Sequence, residues 1–169
     1  MAPPFVRGSL VVLSLVASAG CDTRQSACSD SCPNLAGLYA LQDTTPLGEC
    51  AFTPYLLPPT VELSQSGDGR HITLLVIDPS TDLQVPLTGE VYAPAPGEAQ
   101  GAVGSFQIQT RTVRTASRSD DTLVTLDVTA SGSVVQRDGH RLLSATLNTQ
   151  EVFTQEACLT TLSITGQGQ

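Results

Sequence analysis

Short runs of alternating apolar and polar residues repeat along most of this chain. In TVELS (60–64), Val61 and Leu63 alternate with polar neighbours, and later runs show the same period of two. Successive side chains of a β-strand point to opposite faces, so each such run predicts a strand with one face on a core. The runs are GLYALQD (37–43), TVELS (60–64), HITLLVI (71–77), LQVPLTGEVY (83–92), GSFQIQTRTV (104–113), TLVTLDVTA (122–130), SVVQ (133–136), RLLSATLNTQEVF (141–153) and CLTTLSIT (158–165).

Turn signals separate these runs, and no segment keeps a helical period. Gly67-Asp68-Gly69 and Asp138-Gly139 are typical hairpin turns. The sequence therefore predicts an all-β fold. Regular hairpins in chain order favour a single antiparallel up-and-down barrel of about eight strands, because closure removes exposed edges. A two-sheet β-sandwich is the alternative. Pro86 lacks a backbone donor, so its strand should be interrupted there or lie at an edge.

The charge balance excludes one class of partner. The chain carries a net charge of −8, and only 14% of its residues are charged. An acidic surface without an arginine cluster repels phosphate backbones, so we expect no nucleic-acid binding. Large core-filling side chains are few, so disulfides should contribute to stability.

The first twenty residues form a predicted signal peptide. Arg7 precedes SLVVLSLVASA (9–19), which as a helix would rise about 16 Å, roughly half of the hydrocarbon core of a bilayer. A basic start, a short apolar centre and small residues after it indicate export rather than a membrane span. We therefore divide the chain into a signal peptide (1–20), a lipidated N-terminus and flexible tether (21–34), and a β-barrel-like domain (35–169).

The end of the leader resembles the lipobox of bacterial lipoproteins. Ala19-Gly20-Cys21 matches that pattern, with Ser18 before it. The resemblance implies that diacylglycerol is attached to the Cys21 thiol, that the chain is cut before Cys21, and that acyl chains anchor the protein in a membrane. Ala17-Ser18-Ala19 also fits the general signal peptidase, which would release a secreted, unlipidated domain.

The chain has five cysteines, an odd number for an exported protein. Lipidation of Cys21 would leave an even set of four: Cys28, Cys32, Cys50 and Cys158. In a barrel whose first and last strands pair, Cys50 follows the first strand and Cys158 begins the last. We therefore predict a Cys50–Cys158 disulfide, with Cys28–Cys32 closing a small loop in the tether, although three pairings are open from the sequence alone.

The first predicted strand opens with Gly37-Leu38-Tyr39. This tripeptide resembles the G-x-W start of lipocalin-type and avidin-type barrels, with Tyr in place of Trp. The resemblance implies a barrel for the domain.

An apolar loop follows the first strand. Tyr55, Leu56 and Leu57 lie in TPYLLPPT (53–60), between prolines. Loops are usually polar, so these side chains either cap the core or contact a ligand or partner. In a barrel, this loop and Ala93–Ala102 are candidates for the mouth where a ligand enters.

No motif in the sequence predicts catalysis, a metal or a cofactor. His71 and His140 each follow a D-G turn and could share one end of the domain, but we interpret them as hairpin exits. We therefore expect a non-enzymatic lipoprotein of the cell envelope, facing an extracytoplasmic compartment and bound to a membrane through acyl chains on Cys21. Its role would be to bind a small apolar ligand or an envelope protein, or to serve the envelope structurally. An envelope hydrolase without a recognised motif is the alternative.

Overall fold

The computed structural model describes residues 26–48, 50–98, 100–152 and 159–168, which form strands and no helix. The eight strands are β1 (Gly37–Leu47), β2 (Thr60–Gln65), β3 (His71–Asp78), β4 (Leu83–Tyr92), β5 (Ala102–Ser117), β6 (Asp120–Arg137), β7 (His140–Glu151) and β8 (Leu159–Gly168).

The strands close into a single barrel in chain order, and β1 pairs with β8. All the pairings are antiparallel. The prediction of an up-and-down barrel is confirmed, and the sandwich alternative is wrong. Successive connections in such a barrel alternate between its two ends. The end where β1 begins, with the β2–β3, β4–β5 and β6–β7 connections, is called the tether end, and the other is called the loop end.

Two runs that the sequence separates, at 122–130 and 133–136, belong to one strand, β6. Gly132 lies between them and pairs with Phe106 on β5 and Ala145 on β7. A Cβ atom built on Gly132 would come within 2.7 Å of the Phe106 ring and of the Ala145 Cβ atom. The glycine therefore marks a position where a neighbouring ring fills the interior, and the strand continues through it.

Apolar side chains fill the interior of the barrel. An eight-stranded barrel is just wide enough for inward-facing side chains to fill it or for one small ligand. Tyr39 and Phe106 are 0% and 2% exposed, and aliphatic residues from every strand surround them. The core therefore leaves the lumen occupied by the protein's own side chains. Inward-facing members of this core include Val61, Leu63, Ile72, Leu74, Val76, Leu87, Val91, Ile108, Leu126, Val128, Val134, Leu143, Leu147 and Ile164.

Pro86 lies within a continuous β4, in register with Leu75 on β3. The ladder between β4 and β5 covers only Gly89–Tyr92. At Pro86 the β5 side of the strand has no ladder, so the missing N–H group costs no bond there. The predicted interruption at Pro86 is wrong, and β4 is not an edge strand of the closed barrel; Pro86 only lacks a ladder partner on its β5 side.

The segment before β1 closes the tether end. Leu35 is fully buried, its N–H donates to Oε1 of Gln65 at 2.8 Å, and its carbonyl accepts from the Tyr39 hydroxyl at 2.9 Å. Arg141 donates to the carbonyl of Ala36 at 2.9 Å, and its guanidinium lies 6.0 Å from the centroid of the Tyr39 ring. Burial raises the pKa of Tyr39, while the charge of Arg141 acts to lower it.

The predicted Cys28–Cys32 disulfide is present, with the two Cα atoms 5.5 Å apart. Cys50 is also disulfide-bonded. Cys158 lies outside the described residues, so its pairing with Cys50 stays a prediction. Cys21 also lies outside the described residues.

We expect Gly132→Val to lower the free energy of unfolding by about 2 kcal/mol, because the added side chain would overlap the Phe106 ring in a filled interior. Ser131→Val is the matched control, since Ser131 is exposed on the outer face of the same strand. Urea unfolding of both variants measures the difference. Equal stability of the two variants would contradict the packing described for Gly132.

Candidate functional site

The loop between β1 and β2 crosses the loop end of the barrel. Phe52 and Tyr55 are 2% and 3% exposed, so their rings cap the core. The N–H of Thr53 donates to the carbonyl of Ala116 at the end of β5. The loop thereby reaches across the end of the barrel, and its two aromatic side chains exclude water from the interior.

The same loop joins the edge of β3. Leu56 and Ile77 exchange two backbone hydrogen bonds, of 3.0 and 2.8 Å, and form an isolated antiparallel bridge. Proline fixes its own φ angle and favours an extended residue before it. Pro54, Pro58 and Pro59 therefore restrict the paths that this loop can take.

The buried side chain of Arg114 contacts the loop from the interior of the barrel. Arg114 on β5 is 7% exposed and donates hydrogen bonds to the carbonyls of Thr53 and Thr115. Its guanidinium carbon lies 5.0 Å from the centroid of the Tyr55 ring, an arrangement that favours cation–π attraction. Arg114 thus contacts both the backbone and an aromatic ring of the loop.

Asp78 at the end of β3 supplies the opposing charge. Its Oδ1 atom lies 3.7 Å from Nε of Arg114 and accepts hydrogen bonds from the N–H and hydroxyl of Ser80, at 2.8 and 2.7 Å. Nε of Arg114 is buried and has no hydrogen-bond partner among the described residues. The pair therefore interacts through charge at a distance longer than a hydrogen bond.

Beside this loop lies a cleft of about 780 Å³. It lies between the loop and the loop-end halves of β1, β7 and β8. None of the described side chains that line it carries a charge. The lining residues are Thr44, Leu47, Gly48, Cys50, Phe52, Thr53, Pro54, Tyr55, Leu56, Leu57, Leu147, Thr149, Thr160, Thr161 and Leu162.

Strand divergence and small side chains create the space. β1 pairs with β2 only over Gly37–Ala40 and then follows β8 alone. Thr149 and Thr160 are buried in the cleft wall, and the Thr160 hydroxyl donates to the Thr149 carbonyl at 3.4 Å. Threonine is smaller than leucine, so the wall leaves more space at these two positions than leucine side chains would.

The structure divides the roles predicted for the apolar loop. Tyr55, Leu56 and Leu57 all line the cleft. Tyr55 is buried and caps the core, Leu56 is 47% exposed at the mouth, and Leu57 is half-buried. Capping of the core and exposure at the cleft mouth therefore fall to different residues of one loop.

Other residues singled out in the sequence lie elsewhere. Ala93–Ala102 connects β4 to β5 and lies at the tether end, so the expectation that it shares a mouth with the apolar loop is wrong. The reason is topological: the two connections are an odd number of strands apart. His71 and His140 do share one end, the tether end, as do Cys28 and Cys32.

Sequence reasoning missed Arg114, Thr44, Thr149 and Thr160. Arg114 had a signal, because it lies an even number of residues after the inward-facing Phe106 and Ile108 in a period-two run. A charged residue at an inward position indicates a buried charge that needs a partner. The threonines had no comparable signal, because threonine is common on both faces of these strands.

No group of three His, Cys, Asp or Glu side chains among the described residues is arranged to hold a metal ion. The part of the chain that the structure describes contains no helix long and apolar enough to cross a membrane. Comparisons with protein-family models, curated proteins and solved structures found no match to this chain.

We expect Arg114→Met to lower the free energy of unfolding by about 3 kcal/mol, because Asp78 would keep a buried charge without its partner. Arg111→Met is the matched control, since Arg111 lies on the solvent-facing side of the same strand, where it makes an ion pair with Asp127. Such pairs contribute little. Chemical denaturation measures the free energy of unfolding of both variants. An equal decrease in the two would contradict a special role for Arg114.

Proposed function

We propose that this chain is a bacterial lipoprotein whose barrel binds a small apolar ligand in the cleft at its loop end. Acyl chains on Cys21 anchor it in a membrane, and the barrel faces an extracytoplasmic compartment of the cell envelope. The role is non-enzymatic. The cleft carries the proposal, because it combines a volume of about 780 Å³ with a mostly apolar lining in which no described side chain is charged.

The size and lining of the cleft indicate the chemistry of the ligand. Small-molecule sites commonly measure about 300–1,000 Å³ and are mostly apolar with a few polar groups. Leucine and aromatic side chains here favour an aliphatic or aromatic molecule. With no charge among the described lining side chains, an ionised group would lose its hydration without compensation. The ligand is therefore an uncharged molecule, with at most a few groups that hydrogen-bond to threonine hydroxyls.

The anchor is supported by the leader. The pattern Ala19-Gly20-Cys21 resembles a lipobox, and removal of Cys21 from the thiol pool leaves an even number of cysteines. Cys28 and Cys32 bond to each other, and Cys50 is also bonded, as expected of a protein in an oxidising compartment. The competing arrangement is cleavage after Ala19, which would secrete the same barrel without lipid.

The cleft is tested with Nile red, an uncharged apolar dye whose fluorescence rises on leaving water. We expect saturable binding, and a loss of affinity of about tenfold or more in Thr44→Trp, since tenfold needs only about 1.4 kcal/mol of lost contact. Thr44 is exposed and lines the cleft, so a larger side chain fills the cleft without entering the core.

Thr45→Trp is the control for this experiment, because Thr45 is also exposed but pairs with Ser163 on the outer face of the barrel. We expect its affinity for Nile red to match that of the unmodified protein. Absence of binding to the unmodified protein, or an equal loss in both variants, would refute the cleft as a ligand site.

The anchor is tested by mass spectrometry of the mature N-terminal peptide. We expect the chain to begin at Cys21 and to carry the added mass of a diacylglyceryl group. Cys21→Ser should abolish both the modification and membrane association. A mature chain that begins at Gly20 with an unmodified Cys21 would refute lipidation and favour the secreted form.

A further inference from the structure

The segment that precedes β1 is bound to the tether end of the barrel. The N–H of Cys28 donates to the carbonyl of Val91 at 2.8 Å, and Arg70 donates to the carbonyl of Ser29. The Gln65 side chain donates to the carbonyl of Pro33 at 2.9 Å. These contacts begin at Cys28, ahead of the boundary predicted at residue 35. The chain that leads back to Cys21 therefore leaves the barrel at its tether end.

The cleft lies at the opposite end. On β7, Arg141 contacts the segment before β1, whereas Thr149 lines the cleft. These residues lie about 26 Å apart along a strand that rises about 3.3 Å per residue. With a strand tilt of about 40°, the separation along the barrel axis is about 20 Å.

The chain between the proposed anchor at Cys21 and the first described contact at Cys28 is short compared with the barrel. Cys28 lies seven positions after Cys21, and seven residue steps span at most about 24 Å when fully extended. A flexible chain of that length has an end-to-end distance of about 15 Å. To bring the cleft against the bilayer, the tether would have to run almost fully extended along the side of the barrel, at a cost in chain entropy.

The loop end is also the apolar end of the surface. Leu38 is the only exposed large hydrophobic side chain of the described residues that lies toward the tether end. The others lie toward the loop end, around the cleft and on the β3–β4 and β5–β6 hairpins. They are Leu47, Leu56, Leu83, Val113, Leu123 and Leu159.

From the contacts of the chain at the tether end and the short distance between Cys21 and Cys28, we infer that anchoring through Cys21 holds the tether end toward the membrane and the cleft on the far side. The ligand then enters the cleft from the aqueous compartment rather than laterally from the anchoring bilayer. This inference rests on the proposed lipid anchor and ligand cleft. The opposing arrangement, in which the apolar loop end rests on the bilayer, requires the extended tether.

Energy transfer from tryptophan to dansyl-labelled lipid headgroups tests the orientation, because the chain has no tryptophan of its own. The acylated full-length protein is purified from bacterial membranes and added to phosphatidylcholine vesicles that contain the dansyl lipid. His140→Trp places a donor at the tether end, and Leu56→Trp places one at the cleft mouth, both at exposed positions. Leu83→Trp gives a second donor at the loop end, independent of the cleft.

We expect energy transfer from His140→Trp to exceed that from either loop-end variant several-fold. Equal or greater transfer from Leu56→Trp and Leu83→Trp would overturn the orientation. Failure of the protein to float with the vesicles would refute the anchor, and the orientation with it. If the unmodified protein does not bind Nile red but the energy transfer follows the expected pattern, the cleft as a ligand site and the entry route are refuted. The orientation of the barrel would then stand alone.

Discussion

The narrow interior of a closed eight-stranded barrel is the constraint from which the rest of this structure follows. Inward-facing side chains such as Tyr39 and Phe106 fill the lumen, so the barrel itself has little room for a guest. Each end must still be closed against water. Leu35 closes the tether end, and Phe52 with Tyr55 closes the loop end. The cleft of about 780 Å³ lies beside Phe52 and Tyr55, where β1 has left β2 and threonines line the wall.

Burial of the Arg114 charge costs hydration free energy, and several partners together offset that cost. A guanidinium loses its hydration on burial, and Asp78 lies too far away to satisfy it by a hydrogen bond. The carbonyls of Thr53 and Thr115 and the ring of Tyr55 provide the remaining compensation. An apolar side chain could fill the same volume, but it could not select one backbone path for the loop. The arginine therefore favours one position of the wall that borders the cleft.

Much of this architecture could be predicted from the sequence because a strand's period of two can be recognised without knowing its partners. Alternation around Val61 and Leu63 correctly predicts which face is buried. The continuity of β6 could not be predicted, because Gly132 is tolerated only when the Phe106 ring of another strand fills its place. The cleft depends on which connections share an end and where β1 separates from β2. Those are properties of the assembled barrel, and no local residue pattern contains them.

The pairing of β1 with β8 determines when this barrel can be completed. Beyond Ala40, β1 has no ladder with β2, and from Leu41 to Leu47 its only registered strand partner is β8. The two strands lie at opposite ends of the domain sequence, so this ladder closes a long loop and forms late. The cleft borders this ladder, so its wall is completed only when the last strand pairs with the first. Under the export proposed above, half of the first strand to emerge would wait for the last.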